Sequence, residues 1–161
     1  MQIRNFFSIE QIASFQLLIF GLIKIPLIFF CIPKIIKISD NNVEVKLKLN
    51  YRTKNHLKSM YFGALSIGAD VTGGFFAMRL ISNKKYNISL IFKDFHADFL
   101  KRAEGDVHFV CSDGKKISAL VDKAAKTGER QNMPVHIDAI VPSDSTDPIA
   151  KFILTLSLKR K

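Results

Sequence analysis

The sequence predicts an α+β domain: an antiparallel sheet of about six strands curled round one central apolar helix, with another helix ahead of it. Three observations carry this reading. Apolar and polar residues alternate with period two in runs along residues 34–49, 87–111 and 135–158. The run from 59 to 82 is apolar nearly all round, so neighbours must enclose it on most sides. The chain has 161 residues, 48% of them hydrophobic and 24% charged, which fits one domain with a sizeable core and no disorder signature.

The elements follow in order. Gln16 to Ile23 is strongly apolar, Lys24 and Pro26 interrupt it, and Leu27 to Ile32 follows. A membrane span needs about 20 apolar residues in a row. This stretch is broken near its middle, where proline would also bend a helix. No small-residue cleavage site of the A-x-A kind follows it. Residues 1–32 are therefore read as an apolar helical segment packed on the domain, helical over roughly 8–24 and capped by Ser8. Residues 33–161 are read as the domain itself. Contact of residues 8–32 with a membrane surface is the alternative.

After Pro33, Lys34–Ile38 reads as a short strand and Ser39–Asn42 as a turn. Val43, Val45, Leu47 and Leu49 then alternate with charged residues, which completes a hairpin. Ser59 is the expected cap of the apolar helix. Its glycines lower helix propensity but let another backbone approach closely. Asn87 to Leu100 reads as a long strand. Strict alternation would put Ile88, Leu90, Phe92, Asp94, His96 and Asp98 on one face, and Phe95, Ala97 and Phe99 on the other. Glu104-Gly105 turns the chain into a strand through Val107, Phe109 and Cys111. Ile117, Leu120, Val121, Ala124 and Ala125 mark a helix from Lys115 to about Thr127, stopped by Gly128. Val135 to Val141 and Phe152 to Leu158 are the last two strands, and neighbouring hairpins imply an antiparallel sheet.

The net charge is +10, which favours an anionic partner such as a nucleotide-bearing molecule or an acidic membrane. Aromatic residues interleaved with basic ones, as in a single-strand platform, are not evident, so nucleic acid is not expected. Cys31 and Cys111 lie far apart with no metal spacing and suit two reduced thiols in a cytoplasmic protein. The rows Asp94, His96, Asp98 and His136, Asp138 are ordinary solvated strand faces, so no metal is expected.

One carboxylate, Asp70, interrupts the apolar helix. An ionised carboxylate is costly to bury, and the usual responses are a partner, a raised pKa or a function. A polar stretch from Asn50 to His56 precedes the helix.

The segment from Asn55 through Gly63 to Asp70, in this layout, resembles the hotdog-fold acyl-CoA thioesterases, nearest to the PaaI-like branch and its uncharacterised relatives. Phe95-His-Ala-Asp-Phe-Leu-Lys-Arg-Ala-Glu-Gly105 supports it independently through a Phe-Leu-x-x-Ala-x-Gly pattern. The resemblance covers residues 33 to 158. It implies a helix wrapped by the sheet, pairing into a homodimer or a dimer of dimers, and active sites at the dimer interface. It implies a coenzyme A thioester as substrate and no other cofactor. Asn55, Gly63 and Asp70 fall on the family's catalytic positions. Tyr61 stands where the family has the histidine of His-Gly-Gly, Phe62 replaces its first glycine, and His56 sits one position from its loop histidine.

The chemistry of these residues agrees in outline. Free N–H groups at Phe62 and Gly63 could bind a thioester carbonyl and its developing oxyanion. Asp70 could serve as general base or nucleophile. Asn55 could orient water or substrate, or simply shape a turn. His56, Tyr61 and Phe62 border the proposed site, and Arg52, Lys54 and Lys58 are candidates for holding coenzyme A phosphates. The expected function is acyl-CoA thioester hydrolysis. The alternative is a hotdog protein that binds acyl-CoA or lipid without turning it over.

Overall fold

The computed structural model describes residues 7–161, so residues 1–6 of the expected amino-terminal segment lie outside the described residues. The chain runs through helices α1 (Ile9–Lys24) and α2 (Pro26–Cys31), strands β1 (Lys34–Ile38) and β2 (Val43–Leu47), and helix α3 (Phe62–Asn83). Strands β3 (Ile88–Phe99) and β4 (Val107–Cys111), helix α4 (Gly114–Thr127), and strands β5 (Gln131–Ile140) and β6 (Pro148–Arg160) follow. The six strands form one antiparallel sheet in the order β1-β2-β4-β5-β6-β3.

This is the hotdog arrangement: the sheet wraps α3, as a helix apolar on nearly every side requires. Ala64, Leu65, Ala69, Val71, Phe75 and Phe76 of α3 are buried, as are Phe109, Ile137, Phe152, Leu154 and Leu156 on the strands. Each such large side chain contributes about 1.5–3 kcal/mol when fully buried. The glycines set how closely the layers approach. At Gly68 a Cβ would lie 2.2 Å from the ring of Phe109, so that ring fills the space a side chain would need. Although α3 is long and apolar enough to cross a bilayer, its buried faces mark it as the core helix of this domain. On α4, Ile117, Val121 and Ala124 face inward, and the helix ends at Gly128, whose φ of 71° is the left-handed region glycine tolerates.

The alternation pattern misplaces three features. Strands β3 and β4 are not a hairpin: β3 pairs with β6 at one edge of the sheet, and β4 lies between β2 and β5. Second, β3 carries a bulge. Phe92 pairs with Leu156 and Phe95 with Leu154, so two residues on β3, Lys93 and Asp94, stand opposite one on β6, Thr155. The extra residue resets the alternation, and Phe92, Phe95 and Ala97 all sit opposite inward residues of β6. Asp94 at the bulge accepts a hydrogen bond from the Thr155 N–H at 3.1 Å, while His96 Nε2 and Asp98 Oδ1 stand 3.4 Å apart. Third, Ser59 does not cap α3. The helix begins two to three residues later, with Tyr61 as the capping residue and no side-chain cap. Strands β5 and β6 also extend beyond their apolar alternation, because their backbones keep pairing from Gln131 with Leu158 to Ile140 with Pro148.

The α1–α2 pair lies against the open side of the wrapped helix. Ser8 and Gln11 form a reciprocal capping box at the start of α1. Ser14 Oγ accepts from the Ile35 N–H at 2.9 Å, which satisfies a donor of edge strand β1. Pro26 starts α2, and the chain doubles back because Gly21 has no side chain: a Cβ there would meet Phe29 N at 2.7 Å. Both Cys31 and Cys111 are buried and free. Burial pushes the Cys111 thiol up to about 11, which leaves it protonated and unreactive at neutral pH.

Candidate active site

Asp70 stands two helical turns after Gly63, so both point from nearly the same face of α3, about 20° apart. That face looks toward β3 and the α1–α2 pair. Between these elements lies a slot of about 270 Å³. Leu17 and Phe20 of α1, Ile25 and Ile28 at α2, Val71, Gly74, Phe75 and Met78 of α3, and Leu90 and Phe92 of β3 form its walls. Asp70 is the one polar residue lining it. The carboxyl is half-buried and has neither an ion pair nor a hydrogen bond to any described residue. Burial alone pushes it above the ordinary carboxylate value. No wholly enclosed side-chain oxygen among the described residues lacks a partner, so this unpaired carboxyl must keep a path to solvent.

The start of α3 is built by two anchors. The Met60 N–H donates to the Ala103 carbonyl at 2.8 Å, and the Tyr61 N–H to the Thr53 carbonyl at 2.7 Å. The first bond of the helix's own ladder is from Leu65 N–H to the Tyr61 carbonyl, at 3.1 Å. The N–H groups of Phe62, Gly63 and Ala64 are therefore outside that ladder, at the positive end of the helix dipole. The Phe99-to-Gly105 pattern serves this construction. Ala103 is buried beside Met60, and Gly105 packs where a Cβ would meet Val141 at 2.8 Å.

Aromatic rings cover the helix start. A Cβ on Gly63 would lie 2.4 Å from the Tyr61 ring, and the Phe62 ring centroid is 4.7 Å from that of Tyr61. The space expected above Gly63 for an acyl group is thus filled by Tyr61. Tyr61 is 48% exposed, so its ring lies at the surface rather than in the core.

The other predicted residues are on the loop before α3. Asn55 Oδ1 accepts from the N–H groups of Leu57 at 2.9 Å and Ser59 at 3.2 Å, and its Nδ2 donates to Ser59 Oγ at 3.1 Å. Its carboxamide is thereby used to hold the loop, the turn-forming role. His56, Lys54 and Lys58 are exposed. The Arg52 guanidinium stacks over Phe30 of α2 and over Tyr51, 5.7 and 5.4 Å from the ring centroids. None of these loop residues, nor Tyr61 or Phe62, lines the slot. Of the expected site, only Asp70 is in it.

The slot walls from α1 and α2 are not apparent from the sequence as site residues. Leu17, Phe20, Ile25 and Ile28 carry no chemistry-bearing group, and nothing local ties them to a residue some 50 positions later. A larger open groove of about 790 Å³ runs between α3 and α4. It mixes Asp40 and Asp122 with Arg79 and Lys115, and Asp122 is already held by Lys84 at 2.6 Å. Its charges largely balance, and its lining is far more polar than that of the Asp70 slot.

The family described as Domain of unknown function (DUF4442) matches residues 17–151. No curated protein matches the sequence. Several solved structures share the fold. A provisional thioesterase from Shewanella oneidensis is 13% identical, with 92% of this chain and 98% of that one covered and a TM-score of 0.76. A protein of unknown function from Pseudomonas aeruginosa, described as a probable thioesterase, is 19% identical over 93% and 95% of the two chains, with a TM-score of 0.73. A thioesterase from Haemophilus influenzae is 14% identical over 96% and 92%, with a TM-score of 0.67.

Proposed function

The chain belongs to the DUF4442 family, and from that premise we propose that it hydrolyses an acyl-CoA thioester, with Asp70 activating the attacking water or attacking as nucleophile. The observation that carries this is the unpaired Asp70 carboxyl at the wall of an otherwise apolar slot. The slot takes the acyl chain, and burial raises the carboxyl toward the range in which a general base works near neutral pH. In the general-base route Asp70 takes a proton from the water as its oxygen adds to the thioester carbon, the carbon–sulfur bond breaks, and Asp70 returns that proton to the departing thiolate.

Distance decides how the parts assemble. Seven residues along α3 separate the Gly63 N–H from Asp70 by about 10 Å. The N–H donor and the base act on one carbonyl and one water, whose reacting atoms lie within about 3–3.5 Å of each other, and a spacing of this size favours two copies of α3, one supplying the oxyanion hole and the other the base. The reading therefore needs a homodimer, in which a second copy's helix start meets this Asp70. Edge strand β3 supports it: twelve residues long and paired only with β6, it carries the exposed Phe95 and Phe99, with the exposed Phe62 beside Phe99. Arg52, Lys54 and Lys58 are the proposed contacts for coenzyme A phosphates.

A panel of aliphatic and aromatic acyl-CoA esters tests the reading. Asp70→Asn is expected to lower kcat by about 10²–10⁴ with the fold retained. A variant as fast as the native protein overturns it, as does a monomer at micromolar concentration in sedimentation velocity. The second reading, acyl-CoA or lipid binding without turnover, is favoured by the Tyr61 ring over Gly63. Ligand retained by the native protein with no free thiol released would select it.

A further inference from the structure

We propose that the outer face of α1–α2 docks on an anionic lipid surface. Independently of any hydrolysis, the proposal stands on the two-sidedness of α1. Its inward side, with Ala13, Leu17 and Gly21, is buried against the domain. An ordinary surface helix would then be polar on the other side. Here the outward side carries Ile12, Phe15, Ile19, Leu22 and Ile23, spaced by three or four residues and closed by one adjacent pair. Phe15 is 65% exposed and Ile23 67%. Leu27 and Phe30 of α2 continue the surface, 60% and 48% exposed. Contiguous apolar surface of this kind marks an interaction site rather than chance exposure.

Charge selects the occupant. Between residues 7 and 37 the only acid is Glu10, which is two turns before Leu17 and so shares its inward side. Lys24 borders the hollow made by Phe15, Ile19 and Ile23. Lys34 and Lys48 border the groove on the other side of Phe15, beside Leu18 and Ile36. An apolar face rimmed by lysines, on a chain of net charge +10, is complementary to acyl chains beneath anionic headgroups. A second copy of the chain would bring the same lysines against each other. The free edge of β3, which carries Phe95 and Phe99, is a separate apolar surface for self-association. The α1–α2 pair is also one wall of the Asp70 slot, through Leu17, Phe20, Ile25 and Ile28. Docking would therefore set the slot at the lipid boundary, where a long-chain amphiphile partitions.

Co-sedimentation of the full chain with vesicles of phosphatidylcholine, with and without phosphatidylglycerol, tests the proposal. Binding is expected with the anionic vesicles and is expected to weaken as salt rises. The combined change Phe15→Gln, Leu22→Gln, Ile23→Gln alters exposed side chains only, and circular dichroism checks that it folds. It is expected to lower the partition coefficient at least about a hundredfold. The pair Lys24→Gln, Lys34→Gln should lower it about tenfold or more on anionic vesicles, with little effect on neutral ones. The proposal is overturned if the native chain stays in the supernatant, or sediments equally with neutral vesicles. It is also overturned if the folded triple variant binds like the native chain. Self-association of the native chain that the triple variant abolishes would assign the face to a second copy and overturn it too. None of these readouts involves turnover, so hydrolysis and docking fail separately.

Discussion

Replacing Asp70 by asparagine should stabilise the domain at neutral pH while it removes the proposed base. The side chain keeps its shape and loses its charge. The carboxyl faces ten residues with no polar side-chain partner among them, and burial raises its pKa with no neighbouring group to offset the cost. Leaving a half-buried charged group without a partner costs about 1–3 kcal/mol. Path to solvent through the slot mouth puts the present case toward the lower part of that range, about 1–2 kcal/mol. For a domain of this size the gain is roughly 2–8 °C in Tm. The pH dependence has a definite sign. A carboxyl raised in the folded state carries no penalty below its ordinary value of about 4, where both states are protonated. The penalty grows as pH rises from there and is complete once the pH passes the raised folded value. Asp122, held by Lys84 and Tyr86, and Asp106 and Asp113, whose lysine and backbone partners outweigh their burial, are shifted the opposite way, so the native protein's own melting curve mixes both trends. The difference between variant and native protein cancels those groups. Calorimetric melts of both proteins from pH 4 to pH 7 should show no difference at the acid end and a growing advantage for the variant. A variant less stable at pH 7 would refute the reasoning, because it would mean that the native carboxylate is paired with a cation, for instance across a dimer interface.

Two glycines of α3 should respond oppositely to alanine. Gly68→Ala puts a Cβ 2.2 Å from the ring of Phe109, which is fully buried and packed on Phe152. Overpacking of this kind should destabilise by about 1–3 kcal/mol in chemical denaturation, and an unchanged midpoint would show that the ring is free to move. Gly74→Ala meets only Phe92, at 3.4 Å, an ordinary contact. It should raise stability by up to about 1 kcal/mol through helix propensity while narrowing the Asp70 slot. Its signature is weaker binding of long acyl esters than of short ones, and equal effects on both would place the acyl chain elsewhere.

Much of the fold is legible in residue order because its signals are local. The period-two runs mark β1, β2 and β4 to within a residue or two, the face shared by Ile117, Val121 and Ala124 marks α4, and Gly128 marks its end. Asp70 stands out because a lone acid in an apolar helix is visible without coordinates. The bulge at Lys93 and Asp94 is not, since one extra residue reverses the facing of all that follow and is stabilised by a bond from Thr155, far along the chain. The start of α3 is likewise displaced from Ser59 to Tyr61 because Asn55 claims Ser59 for the loop and Ala103 anchors Met60.

By itself, the sequence determined the kind of domain and the acid at its centre, since periodicity and a buried charge are properties of neighbouring residues. The tertiary structure decided what surrounds that acid. It brought Leu17, Ile28 and Phe92 from three separate elements round one slot, laid Tyr61 over Gly63, and turned the second apolar face of α1 outward. Such contacts join residues tens of positions apart, and only the closing of the sheet round α3 selects which of the many possible pairs are made.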